Sequence, residues 1–134
     1  MNLRPRPAGE CGEVPVDERE QAILEVWHAS AEPWTRAVRG QAIASRRLVT
    51  DAAIVDAVLA CRPRSVIDLG CGEGWLVRAL AGQGIDVLGI DAVPALVEAA
   101  RAAGDGRFIA MDYAEVANGA LHERADVVAC NFSL

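Results

Sequence analysis

The sequence predicts an α/β fold, a parallel sheet in a three-layer arrangement with helices over its faces, and three observations carry that prediction. From Ser65 onward, four short apolar runs alternate with stretches of helical periodicity. A parallel sheet with right-handed crossovers needs that order. The second run, Val87-Leu88-Gly89-Ile90, is apolar without alternation, as a strand covered on both faces should be. The polar residues of chemical interest fall at the C-terminal ends of the runs, where open parallel sheets bind their ligands.

The elements follow in order. Residues 1–17 are rich in Pro, Gly and Glu, lack periodicity, and are expected to form a mobile arm. From Glu18 to about Ser30, Ile23, Leu24 and Trp27 recur at helical spacing. Pro33 is expected to interrupt, and a second helical stretch to run from Trp34 to Ser45. A third helix starts near Thr50, a suitable N-cap, and ends at Arg62-Pro63 with Ile54, Val55, Val58 and Leu59 on one side. Ser65-Val66-Ile67-Asp68-Leu69 reads as strand one. Trp75, Leu76, Ala79 and Leu80 mark a helix burying one stripe, closed by Gly82 and Gly84, which are free to take positive φ. After strand two, Pro94 suits the first turn of a helix whose Leu96, Val97 and Ala100 face inward. Phe108-Ile109-Ala110 is strand three and Asp126 to Cys130 strand four, with a weaker helix between them.

Composition narrows the function. The 134 residues suffice for one domain, and 52% hydrophobic with 24% charged residues suits a globular core. A net charge of -6 without a basic stripe argues against direct binding to a nucleic-acid backbone. Every basic residue is arginine, which excludes a P-loop lysine and a Schiff-base lysine. Cys11, Cys61, Cys71 and Cys130 lie far apart, with neither zinc-site spacing nor a disulfide framework, so no metal is expected. They read as reduced thiols of a cytoplasmic protein. No apolar stretch approaches the ~20 residues of a membrane span, and the first residues lack a signal-peptide core.

The chemistry gathers at the strand ends. Gly70, Gly72 and Gly74 form a G-x-G-x-G turn after strand one, letting backbone approach a ligand beside a helix N-terminus. Trp75 stands where a dinucleotide fingerprint wants its third glycine. Asp68 and Glu73 would repel a pyrophosphate and suit a ligand carrying ammonium and sulfonium groups, although Glu73 reads equally well as solvated or helix-terminal. Asp91 ends strand two, where its oxygens can accept from both hydroxyls of a ribose or simply cap the next helix. Asp112, between Met111 and Tyr113, is placed to accept from an adenine amine or to cap a helix. Cys130, Asn131, Phe132 and Ser133 follow strand four and are placed to line a cavity.

Together these segments resemble the class I S-adenosylmethionine-dependent methyltransferases, and more narrowly their small-molecule-type domains, with a Rossmann-like sheet. Val66 to Gly74 resembles the first motif of that family, Gly89-Ile90-Asp91 the second and Met111-Asp112-Tyr113 the third. Asp126-Val127-Val128, followed by Cys130-Asn131-Phe132, is similar to the fourth. The resemblance covers residues 46–134 and implies a cofactor-binding methyltransferase domain there, incomplete at its C-terminus, with residues 18–45 as a helical lid. It implies S-adenosyl-L-methionine as cofactor, S-adenosyl-L-homocysteine as product and a small-molecule methyl acceptor. Asp68, Gly70 and Gly72 would contact the methionine part, Asp91 the ribose, and Asp112 with Met111 or Tyr113 the adenine, with Cys71 and Ala92 as further cofactor-binding positions. Asn131 would line the site. Arg46 or Arg47 could reach the methionine carboxylate from the lid, with surface solvation as the plain alternative.

Some departures accompany the resemblance. Val93 replaces a better N-capping residue, and Asn131-Phe132-Ser133-Leu134 is not the Asn-Pro-Pro-Tyr of amino-group methylases. The family's sheet has seven strands in the order 3-2-1-4-5-7-6, and only four are read here. Strand four is therefore expected to expose an apolar edge prone to self-association. No residue is assigned as catalytic. A non-catalytic cofactor-binding or regulatory module is the alternative, and Trp75 and the turn carboxylates weigh against a nicotinamide or flavin oxidoreductase.

Overall fold

Four strands, β1 (Ser65–Leu69), β2 (Asp86–Asp91), β3 (Arg107–Ala110) and β4 (Val127–Ala129), form an all-parallel sheet in the order β3-β2-β1-β4. They belong to a computed structural model that describes residues 18–133. The expected N-terminal arm, residues 1–17, lies outside the described residues. Between the strands run α3 (Trp75–Ala81), α4 (Pro94–Ala103) and the short α5 (Tyr113–Ala117), and before them α1 (Glu18–Arg39) and α2 (Asp51–Ala60). This is the α/β Rossmann-like sheet that the sequence predicts.

Alternation along the strands sorts the core into two faces. Val66 and Val87 meet Val58 of α2, Leu76, Val77 and Leu80 of α3, and Val97 and Ala100 of α4. On the opposite face Ile67, Leu88 and Ile90 are covered by Leu121, Ala125, Ile109 and Met111. Leu80 and Val97 are completely buried, and each such side chain contributes about 1.5–3 kcal/mol through burial. Farther out, α4 turns Leu96 and the preceding Val93 toward Ala31 and Trp34 of α1, so α1 lies outside α4. At the other end of β1, Asp126 accepts from the backbone N–H groups of Arg64 (2.8 Å) and Ser65 (3.3 Å), fixing β4 beside it.

The N-terminal helices depart from the sequence expectations. Pro33 does not interrupt: α1 runs through it without a break for 22 residues. An interior proline costs about 3 kcal/mol in an isolated helix. Contacts on both sides of it hold the helix, namely the edge-to-face pair of Trp27 and Trp34 (5.7 Å) and the burial of Ala31. Nor does the second stretch reach Ser45, because Gly40 and Gln41 turn the chain, Gln41 at φ 52. Thr50 is not an N-cap. It is the last residue of a widened π segment, Arg46–Thr50, that feeds directly into α2, and its side chain makes no capping bond. The wider turn sends the Asp51 N–H to the Arg46 carbonyl, and the buried Thr50 hydroxyl has no partner among the described residues. At the end of α3, Gly84 takes the positive φ (82) while Gly82 stays right-handed.

If packing overrides Pro33, then Pro33→Ala restores a hydrogen bond without moving the helix. Backbone amides from 34 to 39 should exchange about tenfold more slowly, the return of part of the proline cost. Unchanged or faster exchange there would show that the proline is not opposed by packing.

Candidate functional site

The turn after β1 is built by hydrogen bonds to the end of β2. The N–H groups of Gly70 (2.7 Å) and Cys71 (2.9 Å) both donate to the Ile90 carbonyl, and the Gly72 N–H donates to Asp91 Oδ2 (2.9 Å). Gly70, Gly72 and Gly74 all have positive φ, at 75, 57 and 85. At Gly74 the conformation comes with close approach, since a Cβ there would stand 2.9 Å from both Ala100 and Phe108. At Gly70 a Cβ would collide with Ser133, whose hydroxyl donates to the Leu69 carbonyl (2.6 Å).

Asp68 stands at the mouth of this turn. It is only 2% exposed, and although none of the hydrogen bonds among the described residues ends on its carboxylate, the carboxylate oxygens are not wholly closed off from solvent. Burial raises its pKa to about 7, and the neighbouring charge of Asp91 adds to the rise. Asp91 is also raised by burial, against the opposing pull of the Val93 and Gly72 amides and of the His28 imidazole on α1. Its two oxygens accept one amide each, Oδ1 from Val93 (2.9 Å) and Oδ2 from Gly72. The Val93 bond shapes the turn into α4 but does not cap it, since Val93 is the N-cap and no side chain bonds the first helical amides; a carboxylate oxygen with one amide bond can accept a further hydrogen. Ala92 follows, half-buried.

Cys71 is buried, and burial together with Asp68 and Asp91 pushes its thiol far up. Cys130 is raised by burial and Asp68. Both thiols stay protonated at neutral pH, so neither is an activated nucleophile.

The third strand end divides its residues. Asp112 caps α5 in a full capping box, Oδ1 accepting from the Glu115 N–H (2.7 Å) while Glu115 accepts from the Asp112 N–H (2.8 Å). Its other oxygen accepts no hydrogen bond among the described residues. Met111 donates its N–H to the Asp91 carbonyl (3.0 Å) and packs into the Ile67–Leu88–Ile90 cluster. Tyr113 is 36% exposed and donates its hydroxyl to the Ser133 carbonyl (2.5 Å), which folds residues 131–133 back toward Gly70. Asn131 is half-buried in that segment, whereas Phe132 is exposed.

Glu73 is not part of the negative cradle. Its side chain is fully buried between two guanidinium groups, Arg78 (2.7 and 2.9 Å) and Arg39 of α1 (2.9 Å). The acidic side chains left at the mouth of the turn are those of Asp68 and Asp91. Sequence reasoning misses Trp34 at this site, and misses that Trp34 and Trp75 enclose Arg46. Trp34 brings its indole nitrogen within 3.5 Å of where a Gly72 Cβ would lie. Arg46 is buried, with its guanidinium 5.5 Å from the Trp34 ring centre and 5.0 Å from that of Trp75. Its Nε donates to Asp51 (3.1 Å), and its terminal NH2 groups have no partner among the described residues, while Arg47 is exposed. The pattern of Trp34, Arg46 and Trp75 has no fixed spacing and becomes visible only when α1 is packed. An open groove between α1 and α4, lined mostly by Ala31, Thr35, Arg36, Gly40, Ala95 and Ala99, contains none of the predicted site residues.

Comparison with known proteins agrees with the geometry. A sequence profile described as a methyltransferase domain matches residues 66–134, about half of the chain. The ubiquinone biosynthesis O-methyltransferase of Xylella fastidiosa (strain M23) is 50% identical over 48 residues, 36% of this chain and 20% of that protein. The match thus spans about a fifth of the length of that relative. A TehB-like SAM-dependent methyltransferase from Corynebacterium glutamicum superposes with a TM-score of 0.51 at 32% identity, over 63% of this chain and 46% of the other. The magnesium protoporphyrin IX methyltransferase of Synechocystis PCC 6803 shares the fold, with a TM-score of 0.68 at 21% identity over 87% of this chain and 62% of that one. No helix among the described residues is long and apolar enough to cross a membrane. Because the methyltransferase-domain profile matches residues 66–134, half of the chain, the chain belongs to that family.

Proposed function

We propose that this chain is the S-adenosyl-L-methionine-binding part of a cytoplasmic methyltransferase acting on a small-molecule acceptor. The observation that carries the reading is Asp68, a buried carboxylate without a donor, beside a second carboxylate at a glycine turn. A site of that kind favours a cation carrying N–H donors, and the cofactor's ammonium fits it. The residues match the rest of the cofactor as well. Gly70, Cys71 and Gly72 offer backbone to the methionine part. Asp91, with Ala92 beside it, has lone pairs left for ribose hydroxyls, and the unused oxygen of Asp112 can accept from the adenine amine while Tyr113 or Met111 covers the ring. Asn131 lines the same end of the sheet. Of the two candidate arginines, the buried Arg46 with free NH2 groups suits the methionine carboxylate.

The cofactor supplies an activated methyl group on its sulfonium. The chain's part is to orient that group and to exclude water, work for which positioning rather than an ionised side chain suffices. No residue of the chain is assigned as base. The 45 residues 1–45 read as an arm (1–17) and a lid (18–45), ahead of a cofactor domain over 46–134.

Calorimetric titration tests the reading. The intact protein should bind S-adenosylhomocysteine and give no heat with NAD or FAD, and Asp68→Asn should weaken binding about 30-fold, the loss of one charge-assisted hydrogen bond. Binding of NAD in preference would sink the proposal. The pH dependence follows from the same residue. Because folding raises the Asp68 pKa from its ordinary 3.8 to about 7, the folded protein holds the proton more tightly. Stability without ligand should therefore fall as pH rises from about 4 to about 7, by an amount on the order of 4 kcal/mol, and level off above. A cationic ligand prefers the ionised form, so its affinity should rise about tenfold from pH 6 to pH 8. Asp68→Asn should abolish that slope, and a slope that survives the substitution assigns it to another group.

Self-association through the outer edge of β4, where Val128 is 56% exposed, belongs to the same proposal. Sedimentation of the 134-residue chain should show concentration-dependent association that Val128→Lys reduces. A cooperative, concentration-independent monomer contradicts it.

A further inference from the structure

Glu73 occupies the middle of the glycine turn and has more positive partners than its burial requires. Arg78, one turn into α3, already donates to both carboxylate oxygens (2.9 and 2.7 Å) and to the Glu73 carbonyl (2.7 Å). That fork satisfies the buried charge from within the same loop and helix. Arg39 adds a second cation from the last turn of α1, with Nε 2.9 Å from Glu73 Oε2 and an NH2 group 2.8 Å from the Ala99 carbonyl on α4. Its side chain is 42% exposed whereas that of Glu73 is 0% exposed, so the bond crosses from the surface into the turn.

Arg39 thus ties three elements together where α1 has little other hold. The N-terminal half of α1 stands clear of the domain, with Ile23 58% and Val26 65% exposed. Its C-terminal half is held by Ala31 and Trp34 on Val93 and Leu96, and by this ion pair. Between these two contacts the Trp34 indole nitrogen faces Gly72, the residue whose N–H orders the turn against Asp91.

We propose that Arg39 is a positioning residue whose ion pair with Glu73 holds α1 closed over the turn and so slows release of the bound cofactor. The retention role rests on the cofactor reading above, while the closure of α1 does not. Breaking the pair from the Arg39 side leaves Glu73 neutralised by Arg78, so the fold survives and the helix loosens.

The test compares Arg39→Gln, Arg39→Lys and Arg78→Met with the unaltered intact protein. Hydrogen exchange without ligand reads closure, and stopped-flow displacement of S-adenosylhomocysteine reads retention. For Arg39→Gln, amides of α1 should exchange about tenfold faster and the ligand should leave about tenfold faster, while the thermal midpoint stays within about 3 °C. Arg39→Lys keeps the charge but cannot span Glu73 and Ala99 together, and should recover part of both effects. Arg78→Met should lower the midpoint markedly, because it strips a buried carboxylate of its main partner. Closure acting through Trp34 further requires that Arg39→Gln and Trp34→Ala be non-additive in the release rate. An Arg39→Gln protein with unchanged exchange in α1 overturns closure. Faster exchange with an unchanged release rate overturns retention, and failure of the unaltered protein to bind S-adenosylhomocysteine overturns the cofactor reading itself.

Discussion

The parallel register of β1 against β2 decides where every polar group of the site falls. Asp68 pairs with Gly89 and Leu69 with Ile90, so β1 ends one residue before β2 exposes the Asp91 carboxylate. The chain leaving β1 must then turn at once, and it does so on the Ile90 carbonyl and the Asp91 side chain. Asp91 serves all its neighbours in this way. Its side chain orders Gly72 on one side and Val93 on the other, and its carbonyl takes the Met111 N–H from the end of β3. Three crossovers thus converge on one residue, and a shift of one position in β1 would send Asp68 to the opposite face of the sheet.

The arrangement works against the folded state. Two carboxylates at low exposure repel each other, and neither Arg39, Arg46 nor Arg78 is hydrogen-bonded to them. The arginines near the turn go to Glu73 and Asp51 instead. Buried charge left without a donor is unfavourable unless something supplies one. A fold whose core elements agree with one another tolerates such a penalty at one place, and that place marks function more clearly than any favourable contact does.

How much of this the sequence discloses depends on the range of the interaction. The four strands are legible because each is a short apolar run bounded by Gly, Pro or Asp, and the ends of β1, β2 and β3 bring out Asp68, Asp91 and Asp112 without further information. Pro33 is misread because the contacts that override it, Trp27 on Trp34 and Ala31 beneath them, belong to packing and not to local propensity. Thr50 looks like a cap because its type is right, and the π segment that absorbs it has no sequence signature. Glu73 is read as a ligand-facing or solvated acid because its partner Arg39 lies 34 residues away. Arg46 and Arg47 are left as equal candidates for a similar reason, since only the packed helices bury Arg46 and place Trp34 and Trp75 around it.

Those long-range contacts share a pattern. Arg39 reaches residue 73, Trp34 faces residue 72, and Arg46 lies over the ring of residue 75. Three consecutive parts of the N-terminal region therefore cover one short arc of the turn. Trp75, which breaks the dinucleotide fingerprint, has a positive role in that arc as one wall beside the Arg46 guanidinium. A glycine there would remove the wall, and the small residue that lets a pyrophosphate approach would leave Arg46 with Trp34 as its remaining aromatic neighbour. The two carboxylates and the indole thus act in the same direction. Asp68 and Asp91 put acidic groups on the sheet side, while Trp75 and Trp34 hold the Arg46 guanidinium on the side of α1, and the proposed cofactor, with separated ammonium and carboxylate groups, would satisfy both at once.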